Sequence, residues 1–247
     1  MQLVGMLDSP YVRRVAISLH SLNLAFEHLP LSVFRNMGEF SEINPLIKAP
    51  TLVCDTGEVL MDSTLILSYI DKLAESPEDN PADSTQDNPL DNLLDSPVDN
   101  LLDSPGSNSM SKTQPLMPQT ISDYASALRL IGLGLHACDK TVQLIYEKDL
   151  RPVDKQHQPW KDRVLTQLTA AYDALEASAA ETSDWLVGSK LTQADITACV
   201  AWQFTLFAMP DVIAAGRYPA LAALSRRAEA LSAFRQAPLE ENWQPAK

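Results

Sequence analysis

INPLIKAPTLVCDTGEVLMDSTLILSYI, residues 43–70, carries the pattern on which the fold turns. Thr51–Cys54 and Glu58–Met61 are short apolar runs on either side of Asp55-Thr56-Gly57. A compact Gly-containing turn between two such runs predicts a hairpin. Pro50 stands just before the first run, where its missing N–H interrupts no ladder. From Asp62 the spacing changes: Leu65, Ile66, Tyr69, Ile70 and Leu73 fall on one face of a helix. Strand, turn, strand, helix is the closing half of a small α/β unit.

The opening half lies upstream. QLVGML at 2–7 reads as a short buried strand. Pro10 suits the first turn of a helix, where no N–H is needed. Val12, Val15, Ala16, Leu19 and Leu22 follow with helical spacing, and Asn23 is a plausible stop. Residues 25–31 make a second strand by position. The order over 1–74 is therefore β-α-β, then β-β-α.

Downstream the composition breaks. Residues 75–114 hold nine acids against the single base Lys112, five of the chain's 17 prolines, and the eight-residue unit DNLLDSPV repeated as DNLLDSPG at 91–106. Two copies are too few for a solenoid. Such charge with so little apolar material does not offset ordering entropy, so the segment reads as an acidic low-complexity linker. The remainder, 115–247, has no strand signal. Helical stretches are predicted at 119–137, 139–149, 159–180, 192–208 and 218–233. Thr192 and Asp195 form a capping-box pattern, and Tyr218-Pro219 opens the last helix.

The 247 residues are 45% hydrophobic and 21% charged, with a net charge of −13. That charge disfavours nucleic acid and anionic membrane surfaces as partners. Three widely separated cysteines, Cys54, Cys138 and Cys199, make neither a disulfide framework nor a thiolate metal site. They suit a reducing compartment. MQLVGMLDSP has no basic flank, and no apolar run reaches 18 residues, so neither a signal peptide nor a membrane span is expected.

Four local features carry potential chemistry. Ser9 lies between the first strand and the first helix, where helix N–H groups attract negative charge. It reads either as a helix cap or as a donor to a bound thiolate. Ala49 precedes Pro50 and could offer its backbone to an extended peptide. Asp62-Ser63 starts a helix, either as a cap or as a clamp for an ammonium and a carboxylate. Lys48 is either solvated or a partner for a second carboxylate.

Taken in order, SPYVRRV at 9–15, INPLIKAPTLV at 43–53 and DTGEVLMDSTLILSYI at 55–70 resemble cytosolic glutathione transferases, in particular bacterial members with an active-site serine. The second half is similar too, in Gly132-Leu133 ahead of His136-Ala137, in Leu144-Ile145-Tyr146-Glu147, and in Trp185-Leu186-Val187-Gly188 ahead of Leu191–Ile196. The resemblance implies a thioredoxin-like domain over 1–74, an insertion over 75–114, and an all-helical domain over 115–247. It implies a cytoplasmic homodimer that conjugates glutathione, its co-substrate, to a small apolar electrophile, without a metal. Ser9 would contact the glutathione sulfur, with Tyr11 as an alternative donor. Ala49, before a cis Pro50, would pair with the cysteinyl backbone. Asp62 and Ser63 would hold the γ-glutamyl end and Lys48 the glycine carboxylate. The electrophile would lie along helix 119–137, where Tyr124, Leu128 and Ile131 read either as its lining or as core packing.

Ser9-Pro10-Tyr11-Val12 occupies the place of a redox Cys-Pro-Tyr-Cys but lacks both cysteines, so protein dithiol chemistry is excluded there. A glutathione-dependent peroxidase or disulfide reductase, and a non-catalytic interaction module, are the alternative readings.

Overall fold

The computed structural model describes residues 1–75 and 115–239. The acidic repeat expected over 75–114 lies outside the described residues, apart from Glu75. The order of elements is β1 (Gln2–Val4), α1 (Pro10–Ser21), β2 (Glu27–Leu29), α2 (Met37–Ile43), β3 (Thr51–Val53), β4 (Val59–Met61) and α3 (Ser63–Glu75). Then come α4 (Ile121–Ile145), a π-turn (Tyr146–Leu150), α5 (Gln158–Ala180), α6 (Gln193–Ala208), α7 (Pro219–Glu229) and α8 (Ser232–Arg235).

The four strands form one sheet in the order β2-β1-β3-β4. β1 and β2 are parallel, and both β1–β3 and β3–β4 are antiparallel. This is the mixed sheet of a thioredoxin-like domain. The hairpin closes as its sequence indicates: Gly57 takes φ 89°, and Cys54 and Glu58 bond across the turn. In α1 the expected face, from Val12 to Leu22, is buried. Asn23 ends the helix at φ 51°.

The structure departs from these expectations in α2, α3 and α4, and it divides the stretch 218–233 into α7 and α8. α2 was not foreseen; it buries Phe40 alone, so it has no amphipathic period to detect. In α3, Ile66, Leu67 and Ile70 face the core, whereas Leu65 is 65% exposed. The helices expected at 119–137 and 139–149 are one helix of 25 residues, because Cys138 and Thr141 are buried and no Gly or Pro interrupts the turn between them.

The helical domain is built around α6, which packs on α4, α7 and α1. Gly134 lets α4 and α6 approach closely: a Cβ there would lie 2.9 Å from Thr197 Cγ2. The start of α6 is fixed by a complete capping box. The buried Asp195 carboxylate accepts from the Thr192 N–H at 2.9 Å and the Leu186 N–H at 2.7 Å. Tyr172, Trp202 and Tyr218 pack ring against ring at 5.5–5.9 Å in the centre. Cys54, Cys138 and Cys199 are free and buried, and burial pushes the Cys138 thiol up to about 12.

Arg13 ties the far end of the chain to α1. Its guanidinium reaches Glu229 at 2.7 and 2.9 Å and the Ala237 carbonyl at 2.8 Å. The helix that follows Ser9 is thereby tied to the helical domain.

Candidate active site

Gly5, directly after β1, takes φ 137°. A Cβ at Gly5 would meet Val12 Cγ2 at 2.6 Å and Ala49 Cβ at 3.1 Å. Glycine therefore lets the start of α1 and the Lys48–Pro50 turn close on the same strand end. Ser9, Tyr11, Lys48 and Ala49 consequently share the wall of one cavity of ≈ 280 Å³.

Ser9 is the residue before Pro10 at the α1 N-terminus. Its backbone is extended (φ −75°, ψ 122°) and its carbonyl accepts the Arg13 N–H at 2.9 Å, but its side chain makes no capping bond. The hydroxyl stays available in a place where the first helical N–H groups carry partial positive charge. The bond Ala49–Pro50 is cis. Among the described residues, neither backbone polar group of Ala49 is spent on another backbone group.

Tyr11 donates its hydroxyl proton to the Asp139 carboxylate on α4. Burial first, then Cys138 and Asp139, push its phenol above the ordinary tyrosine value. A phenol that gives its one proton to a carboxylate has none for a thiolate.

Asp62 and Ser63 lie outside the cavity wall and join it through Lys48, whose ammonium is 3.5 Å from the Asp62 carboxylate. Asp62 adopts φ 74° and caps α3 by accepting the Thr64 N–H at 2.9 Å. Ser63 is buried, and its Oγ accepts from Arg14 Nη1 at 3.2 Å. That leaves the Ser63 O–H proton free to donate. Arg14 is only 1% exposed, and its Nε and Nη2 have no hydrogen-bond partner among the described residues. Burial lowers its pKa to about 10. Arg14 thus places a buried positive charge, felt by the neighbouring Asp62 carboxylate, beneath the start of α3.

Much of the remaining lining is apolar: Val142 and Ile145 at the end of α4, Tyr146 and Leu150 of the π-turn, Phe34 before α2, and Phe204 of α6, with the charged Arg35 and Asp149 among them. Tyr124, Leu128 and Ile131 are not part of it; α4 meets the cavity with its other end. Tyr124 and Leu128 are exposed elsewhere on α4, and Ile131 is buried in the core. Sequence reading missed Phe34, Arg14 and the π-turn. Only Arg14 left a signal: with Arg13 it makes a pair of charged residues inside the run Val12–Leu19 of α1.

Residues 3–78 match the model of the glutathione S-transferase N-terminal domain, and residues 136–231 that of the glutathione S-transferase C-terminal domain. The chain belongs to the glutathione S-transferase family. Among curated members, the uncharacterized GST-like protein YibF of Escherichia coli is 35% identical over 77 residues, which are 31% of this chain and 38% of that protein. The alignment thus spans well under half of that relative.

Two solved transferases align along nearly the whole chain. A glutathione S-transferase from Methylobacterium radiotolerans, in complex with glutathione sulfonate, superposes with a TM-score of 0.77 at 23% identity, covering 100% of this chain and 98% of that one. A glutathione transferase family member from Pseudomonas fluorescens with bound glutathione gives 0.69 at 26%, covering 96% and 97%. Like these transferases, the chain pairs a thioredoxin-like domain with a helical one. Among its described residues, no helix is long and apolar enough to cross a membrane, and no group of three His, Cys, Asp or Glu is placed to hold a metal ion.

Proposed function

We propose that the protein conjugates the glutathione thiolate to a small apolar electrophile. The observation that carries this reading is the uncommitted Ser9 hydroxyl at the α1 N-terminus, on the wall of a cavity lined largely by apolar side chains. The thiol gives its proton to solvent, and the Ser9 hydroxyl donates to the sulfur anion. The thiolate then forms a carbon–sulfur bond while the leaving group departs with its electron pair. Lowering the thiol pKa raises the nucleophile fraction, and holding both reactants in one cleft supplies the rest.

The tripeptide is held as follows in this reading. Ala49 pairs with the cysteinyl backbone, Ser63 donates to the γ-glutamyl carboxylate above Arg14, and Asp62 takes the ammonium. Lys48 leaves Asp62 for the glycine carboxylate. Their exposed pair contributes about 0–1 kcal/mol, so its exchange costs little. Retention on immobilised glutathione, with turnover of a chloronitroaromatic compound, is the expected result. Binding without turnover of any electrophile or peroxide would favour the interaction module instead.

The reading extends to assembly. Ile121, Tyr124 and Leu128 on α4 are 84%, 39% and 49% exposed, and Leu65 on α3 is 65% exposed. We assign these side chains to a homodimer contact. Light scattering should give twice the 27.2 kDa of one chain, and Leu128→Glu should give the single-chain mass. An unchanged mass in the variant would remove α4 from the contact.

We read residues 75–114 as a linker that takes no part in the reaction. Deleting 76–113 and closing the gap with a short linker should leave the melting temperature and glutathione affinity as they are, since long insertions cost only about 0.6 kcal/mol per doubling of length. A drop of more than about 8 °C would mean that the segment packs on the body. The role is that of a detoxifying enzyme in the cytoplasm, where three unpaired thiols stay reduced.

A further inference from the structure

We propose that Asp139 is a positioning residue that decides which hydroxyl serves the sulfur: it holds the Tyr11 phenol away from the thiolate and leaves Ser9 as the donor. This rests on the glutathione reading above. Ser9 and Tyr11 stand two positions apart at the start of α1, and both line the ≈ 280 Å³ cavity. Each carries a hydroxyl able to donate to an anion. They differ in what already holds them. The Ser9 side chain makes no bond to the helix it precedes. The Tyr11 hydroxyl donates to Asp139, 128 positions away, so this bond joins the thioredoxin-like domain to the helical one.

The choice between the two donors is therefore made outside α1. A phenol has one proton to give, and a bond to a carboxylate is about twice as strong as one between neutral groups. Asp139 sits inside the 25-residue α4, beside the buried Cys138, so its backbone is fixed by the helix on both sides. Burial of Tyr11 keeps the proton on the phenol, which preserves the bond. The arrangement also has a chemical consequence. A second donor would stabilise the sulfur anion further, and the nucleophilicity of a thiolate falls as its pKa falls. With the phenol engaged elsewhere, the sulfur keeps one side-chain donor and more of its reactivity.

The test is a set of variants read by the ultraviolet absorbance of the bound thiolate against pH, at saturating glutathione. Ser9→Ala should raise the thiol pKa. Adding Asp139→Ala releases the phenol and should bring that pKa back down by about one unit, which raises the thiolate fraction near neutral pH about 10-fold. Removing the Asp139 charge also favours a nearby anion, so a third change separates the two causes. Tyr11→Phe, added to that pair, should return the pKa to its value in Ser9→Ala alone. Asp139 is exposed on α4 and alanine suits a helix interior, so the variants should fold, which a melting curve checks. Glutathione binding is measured by calorimetry on the same samples. If glutathione binds but the Ser9→Ala, Asp139→Ala protein titrates like Ser9→Ala, or the recovery survives Tyr11→Phe, the role of Asp139 is overturned and the glutathione reading stands. Equal pKa values in wild type and Ser9→Ala overturn it too, because Ser9 is then not the donor. If glutathione fails to bind the wild type, the glutathione reading falls and takes this one with it.

Discussion

Ser9→Ala should slow conjugation about 10- to 100-fold while leaving the fold and the glutathione affinity close to wild type. A hydrogen bond to a charged group contributes about 1.5–3 kcal/mol. At about 1.36 kcal/mol per pKa unit, the bound thiol should rise by roughly one to two units. The thiolate fraction near neutral pH then falls by the same factor, and the rate with it. A serine acting only as a cap would show the opposite pattern, a stability loss of about 0.5–2 kcal/mol with no change in ionisation. The geometry weighs against that, because the Ser9 side chain makes no bond to the helix it precedes. The decisive measurement is the ultraviolet absorbance of the thiolate, titrated against pH at saturating glutathione. Equal pKa values in the two proteins would remove Ser9 from the mechanism. The α1 N-terminus would then be the candidate, since Tyr11 gives its proton to Asp139.

The sequence was legible wherever the signal was local. The hairpin around Gly57, the buried face of α1, the stop at Asn23 and the capping box of Thr192 and Asp195 each depend on residues within one or two turns of one another. α2 was invisible because it buries one residue. Leu65 was misplaced because LILSYI offers two adjacent apolar faces, and only packing against α1 chooses between them. The candidate site divides in the same way. Ser9, Lys48, Ala49 and Asp62 stand in short stretches of distinctive order. The apolar wall joins Phe34 to Tyr146, 112 positions apart, and no local pattern announces that meeting. Arg14 stands beside Arg13 in the sequence of α1, and only the fold shows which of the two meets Ser63.

Asp62→Asn and Asp62→Ala should separate the two roles of Asp62, as cap and as ligand for an ammonium. Asparagine keeps an oxygen for the Thr64 N–H and tolerates the φ of 74°. It loses only the charge. Asp62→Asn should therefore melt within a few degrees of wild type yet bind glutathione about 10- to 100-fold more weakly, the worth of a charge-assisted bond of about 1.5–3 kcal/mol. Alanine forfeits the cap as well and takes a left-handed backbone that it adopts poorly, so Asp62→Ala should also lose about 1–3 kcal/mol of stability. Loss of the neighbouring Lys48 pair adds little in either variant, because that pair is exposed. N-acetylglutathione, which has no ammonium, provides the control. Wild type and Asp62→Asn should bind it equally, since the charge on Asp62 then has nothing to hold. If the asparagine variant instead weakens both ligands by the same factor, Asp62 acts by shaping the start of α3, and the ammonium is held elsewhere.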